Sequence, residues 1–393
     1  MNERIDQAIS DFTMMRSWLS HRLLVRMGFV DSSKKGYLKR CLLAVVITWL
    51  PLLLLNALQG LAMGDTVEIS FLKDFSTQVR FWVVIPLLIF GERSVDIRMK
   101  EVTRQFFKSG ILGDSELSSY LKIKDRVQNL SRSLTSVLVI LVVVVTSVYF
   151  RLKGVRDSDL SIWIFKPGNH NSVLSWAGIF FTAVSIPVLE FLILQWLWRW
   201  IVWVYYYLKL AGLPLKLNSA HPDLAGGIGF LGFPPGPFLQ VTIASAISFS
   251  AAVAQRIFFL HEKLSAYYWT IGAFALFIIV VNVMPLIVFI GPLTAYRRKG
   301  FFEFGALING HHRQFENKWL GKTVTESIVG SPDASTLTDF NSSFDTVRKM
   351  RIIPFDIKIL ASSIIIAFLP LLPLFTFEYN LLDMAKKIMQ MLL

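Results

Sequence analysis

The fold is decided by residues 41–63, CLLAVVITWLPLLLLNALQGLAM, a stretch without a charged side chain. A helix needs about 20 consecutive apolar residues to cross the hydrocarbon of a bilayer. The whole chain has the same character, since 54% of its 393 residues are hydrophobic and only 17% are charged. Soluble proteins have roughly a quarter of their residues charged. The sequence therefore predicts an integral membrane protein.

Six further apolar runs follow along the chain. They occupy residues 80–91, 134–150, 173–197, 239–260, 267–296 and 358–377. The first of these six is short and contains Pro86, so it either spans the membrane, re-enters it, or begins obliquely near Phe71. We count it as a span and predict an all-α polytopic protein with about seven transmembrane helices.

The basic residues predict the orientation of the chain. It carries 40 Lys and Arg residues, a net charge of +13, and most of the basic residues at 1–40, 92–133, 199–238 and 297–357. Because Lys and Arg mark cytoplasmic loops, we expect the N-terminus in the cytoplasm and the C-terminus on the opposite side of the membrane, which is the periplasm if the membrane is a bacterial inner membrane. This rule explains the charge without nucleic acid, and the basic residues beside the spans predict contacts with anionic membrane lipids.

The span map divides the chain into six parts. They are an amphipathic cytoplasmic leader (1–40), spans one and two (41–91), a cytoplasmic helical segment (92–133), spans three to six (134–296), a second cytoplasmic helical segment (297–357), and span seven with a C-terminal amphipathic helix (358–393). The two cytoplasmic segments are long enough to form a helical layer. We find no internal repeat in the sequence.

Residues 217–238, LNSAHPDLAGGIGFLGFPPGPF, form the most unusual segment. Its glycines and prolines exclude a long helix, and irregular backbone near a membrane is tolerated where it lines a watery cavity or is buried in protein. His221 and Asp223 in this HPD loop either bind a cation, relay protons, or shape the turn, as an Asp beside Gly commonly does.

A second group of candidate residues lies within the spans. Glu190 is deep in span four, where an ionised carboxylate must face protein or water. It either sets the selectivity of a path or is a neutral, hydrogen-bonded side chain that joins two helices. Ser245, Ser248 and Gln255 form a small polar stripe along span five that ends near Arg256, and Asn282 accompanies the kink at Pro285 in span six. Such a stripe allows close helix packing or lines an aqueous path.

Sequence signatures of catalysis and of cofactor binding are missing. The one cysteine, Cys41, excludes an internal disulfide. The glycines of the HPD loop lack the GK[ST] ending of a nucleotide-binding loop, and the H-E-x-x-H pattern of a zinc protease does not occur. We therefore predict neither a metal nor a cofactor.

Three motifs carry a resemblance to a known group of proteins. They are HPDLAGGIGFLG, FEFGALINGHHRQFENKW and GSPDASTLTDFNSSFDTVRKMR, and they cover much of the second half of the chain. In these motifs the chain resembles a family of uncharacterised bacterial polytopic inner-membrane proteins. The resemblance implies a bacterial inner membrane and brings no activity with it.

These observations favour membrane transport. We predict a homo-oligomeric ion channel or pore whose path is lined by the HPD loop and the polar stripe, with Glu190 setting protonation or selectivity. Two alternatives stay open: a membrane-embedded enzyme acting on lipid or lipid-linked substrate, with His221 and Asp223 as acid and base, and an adaptor or signalling protein.

Overall fold

The protein is all-α in the residues that the computed structural model describes: 9–10, 12–14, 34–153, 162–167, 173–232, 238–320 and 332–377. Its helices are α1 (Lys34–Leu58), α2 (Phe75–Lys108), α3 (Leu117–Ser131), α4 (Leu134–Lys153), α5 (Trp176–Ala211), α6 (Leu239–Leu260), α7 (Tyr268–Ile287), α8 (Ile290–Trp319), α9 (Pro332–Lys349), α10 (Ile357–Phe368) and α11 (Leu372–Phe375). Within these residues the only β pairing is two isolated bridges.

Within the described residues, six helices are long and apolar enough to cross a membrane, namely α1, α2 and α4 to α7. They confirm the prediction of a polytopic helical membrane protein. The seventh predicted span, residues 358–377, is shorter, because α10 and α11 are separated by a 3₁₀ turn at Leu369–Leu371. Pro370 and Pro373 account for the break, since proline lacks the amide hydrogen that a continuing helix needs.

Two predicted boundaries differ from the observed helices. The first transmembrane helix begins at Lys34, so residues 34–40 belong to it and not to the leader. The second runs from Phe75 to Lys108, so residues 92–108 of the predicted cytoplasmic segment 92–133 continue the helix of the second span. Most of the leader and the whole predicted C-terminal helix lie outside the described residues.

Helices α2 and α5 share a capped first turn and a π-helical turn, which the sequence analysis does not predict. Each begins after a capping side chain, Asp74 or Ser175, that accepts a backbone N–H of the first turn. Each then contains a π-helical turn, Arg80–Val84 or Phe181–Ser185, followed directly by Ile-Pro. Both helices also extend well past the apolar layer, to roughly 50 Å at 1.5 Å per residue.

We use the name basic side for the face of the membrane at which α1 begins. There the ends of α2 and α5 and the whole of α3 form a layer with an aromatic core. Fully or almost fully buried members of this core are Phe106, Phe107, Tyr120, Trp203, Tyr206, Tyr207 and Phe289. Trp203, Tyr206, Tyr207 and Phe289 lie outside residues 92–133 and 297–357, so the helical layer predicted from those two segments stays a prediction.

Helices α8 and α9 form a hairpin on the basic side, in which Lys318 Nζ lies 2.7 Å from Asp333 Oδ2 near the distal end. Its base is held by the HPD loop. A side chain at Gly300 would place its Cβ 2.1 Å from Ser219 Oγ, and the hydroxyl of Tyr296 donates to the carbonyl of Leu215 at 2.6 Å.

A buried ion cluster joins α1, α2 and α5 where they reach the basic side. Glu92 Oε2 lies 2.7 Å from Arg40, and its Oε1 lies 2.8 Å from Arg199. The carboxylate is only 5% exposed. Such a cluster is costly to bury but is strongly destabilised by the loss of one partner, because the remaining charges stay buried without compensation.

We predict that Glu92→Gln lowers the free energy of unfolding by about 3–5 kcal/mol, because two arginines lose their carboxylate. Thermal unfolding of the purified protein in detergent measures this loss. The matched control is Glu303→Gln, whose side chain is 64% exposed beside Lys299 and should change stability by less than about 1 kcal/mol. Equal shifts for the two variants would contradict the structural role of Glu92.

Candidate functional site

Two cavities lie side by side between the membrane helices. The first, of about 550 Å³, lies among α2, α5, α6 and α7 and is lined mainly by apolar side chains; we call it the apolar cavity. The second, of about 640 Å³, lies among α2, α6 and the segments around residues 69–74 and 162–164, on the side of the membrane opposite the basic side; we call it the polar cavity. Arg80 and Ala252 line both cavities, so the two spaces adjoin at these residues.

The predicted polar stripe of α6 faces both spaces. Ser245 and Ser248 line the apolar cavity, whereas Gln255 and Arg256 line the polar cavity. The structure therefore brings together four of the eight predicted site residues along one wall. Two polar groups of the stripe already have local partners, because the Ser245 hydroxyl donates to the carbonyl of Val241 and Gln255 Oε1 accepts the backbone N–H of Ser76.

Arg80 is the residue that the sequence reasoning missed. It opens the π-helical turn of α2 and is opposite Ala252, which lies eight residues, or roughly 12 Å, inside the end of α6. Its guanidinium makes no hydrogen bond or ion pair within the described residues. A charged side chain within a membrane normally has a partner or faces water, so an unpaired arginine in a cavity indicates a binding site.

The nearest acid does not neutralise Arg80 by direct contact. Asp74 lines the polar cavity as well, but its carboxylate caps α2 by accepting the backbone N–H of Thr77 at 3.0 Å and accepts the indole N–H of Trp163 at 3.0 Å. These bonds orient Asp74 toward the helix end and the neighbouring loop. Asp74 therefore acts on Arg80 through its charge without a direct hydrogen bond, and the guanidinium N–H groups face the junction of the cavities.

The other cation of the polar cavity is compensated. Arg256 Nη2 lies 2.9 Å from Glu262 Oε1, and the hydroxyl of Tyr267 also donates to Glu262. Its hydrogen bonds with Arg256 and Tyr267 lower the pKa of the Glu262 carboxyl. Arg256 is more than half exposed, so the polar cavity reaches the surface at this pair.

The apolar cavity is closed toward the basic side and reaches the outside of the helix bundle through one of its side walls. Toward the basic side it ends at Trp196 and Phe238, which are both 3% exposed and whose ring centroids lie 5.9 Å apart. Between α5 and α7 it reaches the outside of the helix bundle, because Ile193, Leu197 and Phe277 line it and are nearly half exposed. In a bilayer these side chains face hydrocarbon.

Glu190 lines neither of these two cavities. Its carboxylate accepts hydrogen bonds from Arg151 and from the hydroxyl of Ser147 at 2.7 Å, both on α4. The geometry is that of a helix-joining ion pair, which differs from the neutral, hydrogen-bonded Glu190 that is the helix-joining alternative expected from the sequence. The pair is about one-third exposed.

The HPD loop lies on the basic side and is held by Asp223. One carboxylate oxygen accepts the backbone N–H groups of Ala225 and Gly227, and the other accepts that of Gly229. Gly226 and Gly227 have φ of 67° and 95°, which glycine adopts without steric cost.

His221 completes the turn, with Nδ1 2.9 Å from Asp223 Oδ1. Burial raises the pKa of Asp223, but the three backbone donors and His221 outweigh burial, so the pKa lies below its ordinary value. Neither residue lines the two cavities. This geometry favours the turn-forming role among the roles expected for the pair.

Asn282 lines neither cavity. Its side-chain amide donates to the carbonyl of Ile278 within α7 at 2.8 Å.

The described ranges contain no group of three His, Cys, Asp or Glu side chains that lie close enough together to hold a metal ion. Among the described lining residues of the two cavities, Arg80 is the cation without a direct ion pair.

We predict that Asp223→Asn lowers the unfolding temperature at neutral pH. An amide nitrogen, which cannot accept a hydrogen bond, then replaces a charged oxygen that accepts a backbone N–H, and this loss should lower the free energy of unfolding by about 1–3 kcal/mol. Since the pKa of the native carboxyl is depressed, its stabilising effect is complete above about pH 4 and fades as the pH falls through the native pKa. The difference between wild type and variant should therefore narrow in acid. A difference in unfolding temperature that grows below about pH 4 would contradict the role of Asp223 in holding the loop. The control is Asp65→Asn, because the Asp65 carboxylate is 97% exposed.

No protein-family model, curated protein or solved structure matches this chain. The resemblance of its motifs to bacterial inner-membrane proteins thus stays a prediction, and the candidate site rests on its geometry.

Proposed function

We propose that the protein is a membrane transport protein and that its path follows α6 through the two adjoining cavities. The observation that carries this proposal is the meeting of the cavities at Arg80 and Ala252, well inside the membrane helices. A path through a membrane needs space and polar groups that replace water. Ser245, Ser248 and Gln255 supply such groups along the same wall.

The charge at the junction favours anions. Arg80 has no ion pair among the described residues, while the carboxylate of Asp74 is engaged by Thr77 and Trp163. A guanidinium presents several N–H donors to an anion and stays charged in a protein. An anion that reaches the junction therefore exchanges its water for Arg80.

Each chain contains its own pair of cavities. In the homo-oligomer that we propose, every subunit would carry one path, in place of one pore shared at the symmetry axis. We place the protein in the bacterial inner membrane, as the resemblance of its motifs implies, with the basic side in the cytoplasm, as the distribution of Lys and Arg favours. The closed end at Trp196 and Phe238 then faces the cytoplasm and must open during transport.

Support for the enzyme alternative is weaker. An acid and base pair needs atoms that are free to exchange a proton with substrate. Both carboxylate oxygens of Asp223 accept backbone hydrogen bonds that hold the loop, and the unpaired charge lies in the membrane cavities instead.

We predict that Ala252→Trp lowers the single-channel conductance of the purified protein in planar bilayers roughly tenfold or more, because the indole fills the narrow junction. The control is Ala273→Trp, which adds the same bulk at an exposed position on α7. Wild-type currents that Ala252→Trp leaves unchanged, or silence of the wild type across voltage and pH, would overturn the proposed path.

We further predict that the wild-type current in a KCl gradient reverses near the equilibrium potential of chloride. Arg80→Gln should shift the reversal potential toward zero, because the fixed positive charge is removed, and Arg80→Lys should keep most of the selectivity. Arg348→Gln, an exposed change on α9, serves as the control. A reversal potential that ignores Arg80 would exclude this residue from the selectivity of the path.

A further inference from the structure

We propose that the preferred ligand of this path is an anionic amphiphile, whose phosphate, sulfonate or carboxylate head binds Arg80 while its apolar chain lies in the apolar cavity. This inference rests on the proposed path and names the substrate class that fits it.

The first argument is the contrast between the two cavities on either side of Arg80. On one side, the apolar cavity presents Val84, Leu88 and Phe249. On the other, the polar cavity presents Ser76, Thr77 and Gln255 among apolar side chains such as Ile69 and Phe259. A small hydrated ion gains nothing from the apolar half, whereas a chain buried there gains about 0.8 kcal/mol for each methylene group.

The second argument is the way into the apolar cavity. Its wall between α5 and α7 includes Ile193, Leu197 and Phe277, which are nearly half exposed at the outside of the helix bundle. In the bilayer this opening faces lipid. An apolar chain can therefore enter from the membrane without crossing water, while its head stays on the side of the polar cavity.

The third argument concerns charge. Arg256 is compensated by Glu262 and Asp74 is engaged by Trp163, so Arg80 is the group at the junction with unused hydrogen-bond donors. The planar guanidinium matches the paired oxygens of phosphate, sulfonate and carboxylate. One cation, with an apolar space on one side and a polar space on the other, fits one anionic head and one chain.

The size of the site agrees with such a ligand. Each cavity, at about 550 and 640 Å³, falls within the roughly 300–1,000 Å³ that pockets for small organic molecules occupy. The closed end at Trp196 and Phe238 limits how far the chain reaches toward the basic side.

The test is equilibrium binding of alkanesulfonates, from methanesulfonate to octanesulfonate, to the protein in phosphatidylcholine nanodiscs, with empty nanodiscs subtracted. We expect the dissociation constant to fall roughly fourfold for each added methylene until the cavity is full. Inorganic phosphate, which has a head without a chain, should bind at least as weakly as methanesulfonate. Equal affinity along the series would overturn the proposal.

Two variants separate the head from the chain. Arg80→Gln should weaken binding of every sulfonate roughly 10- to 100-fold, because a charged hydrogen-bonding partner is lost, and Arg80→Lys should restore part of it. Val84→Trp should remove the dependence on chain length and spare the binding of methanesulfonate. Arg348→Gln is the matched control, and an effect of this variant as large as that of Arg80→Gln would refute the assignment.

Two further comparisons complete the design. The first comparison adds phosphatidylglycerol to the nanodiscs. This lipid should compete with octanesulfonate if the natural amphiphile is a bilayer lipid, and should leave octanesulfonate binding unchanged if the natural amphiphile is a free organic anion. Binding is measured without transport. Silent bilayers with chain-dependent binding would therefore refute the path alone, and currents without such binding would refute the ligand alone.

Discussion

The ion pairs of Glu92 with Arg40 and Arg199 fix how α1, α2 and α5 lie relative to one another. A shift of one helix by a single turn, roughly 5.4 Å, would leave a charge buried and unpaired, so only one alignment satisfies all three side chains. Arg80 lies on α2 about 12 residues, or roughly 18 Å, from Glu92. The register that satisfies Glu92 therefore also carries Arg80 to the junction of the cavities.

The charged side chains of the membrane helices have two kinds of surroundings. Glu92 and Glu190 have arginine partners and connect helices, whereas Arg80 lines the two cavities. This difference in partners agrees with the space around each charged side chain. A satisfied ion pair tolerates close packing on all sides, but a lone arginine persists in a membrane helix where a cavity lets water or a ligand approach it. Among the described residues, Glu92 and Glu190 differ from Arg80 in having direct ion-pair partners.

The sequence predicts those features that depend on neighbouring residues. The run of apolar residues at 41–63 predicts α1, and the spacing of Ser245, Ser248 and Gln255 predicts a shared wall because all three lie on one helix. It does not predict the partners of Glu92, which are 52 and 107 residues away along the chain. Arg80 was missed for a local reason: it precedes a short apolar run with a proline, so it resembles the end of a span.

The HPD loop illustrates a pattern with two meanings. An Asp beside glycines serves equally well as a ligand-binding group or as a turn former, and both uses need the same residue types. Only the positions of the Ala225, Gly227 and Gly229 amides, which converge on one carboxylate, favour the second. The candidate site accordingly moves from the loop to the membrane helices.

The π-helical turn of α2 also decides which residues of this helix share a face. A π turn holds one residue more than the α turn it replaces. The residues after Val84 are therefore displaced by one position, or about 100°, from the face that a single 3.6-residue period starting at Phe75 would give them. A helical wheel drawn over the whole helix thus misassigns the face of Glu92 relative to the residues before Arg80, and the two halves need separate periods.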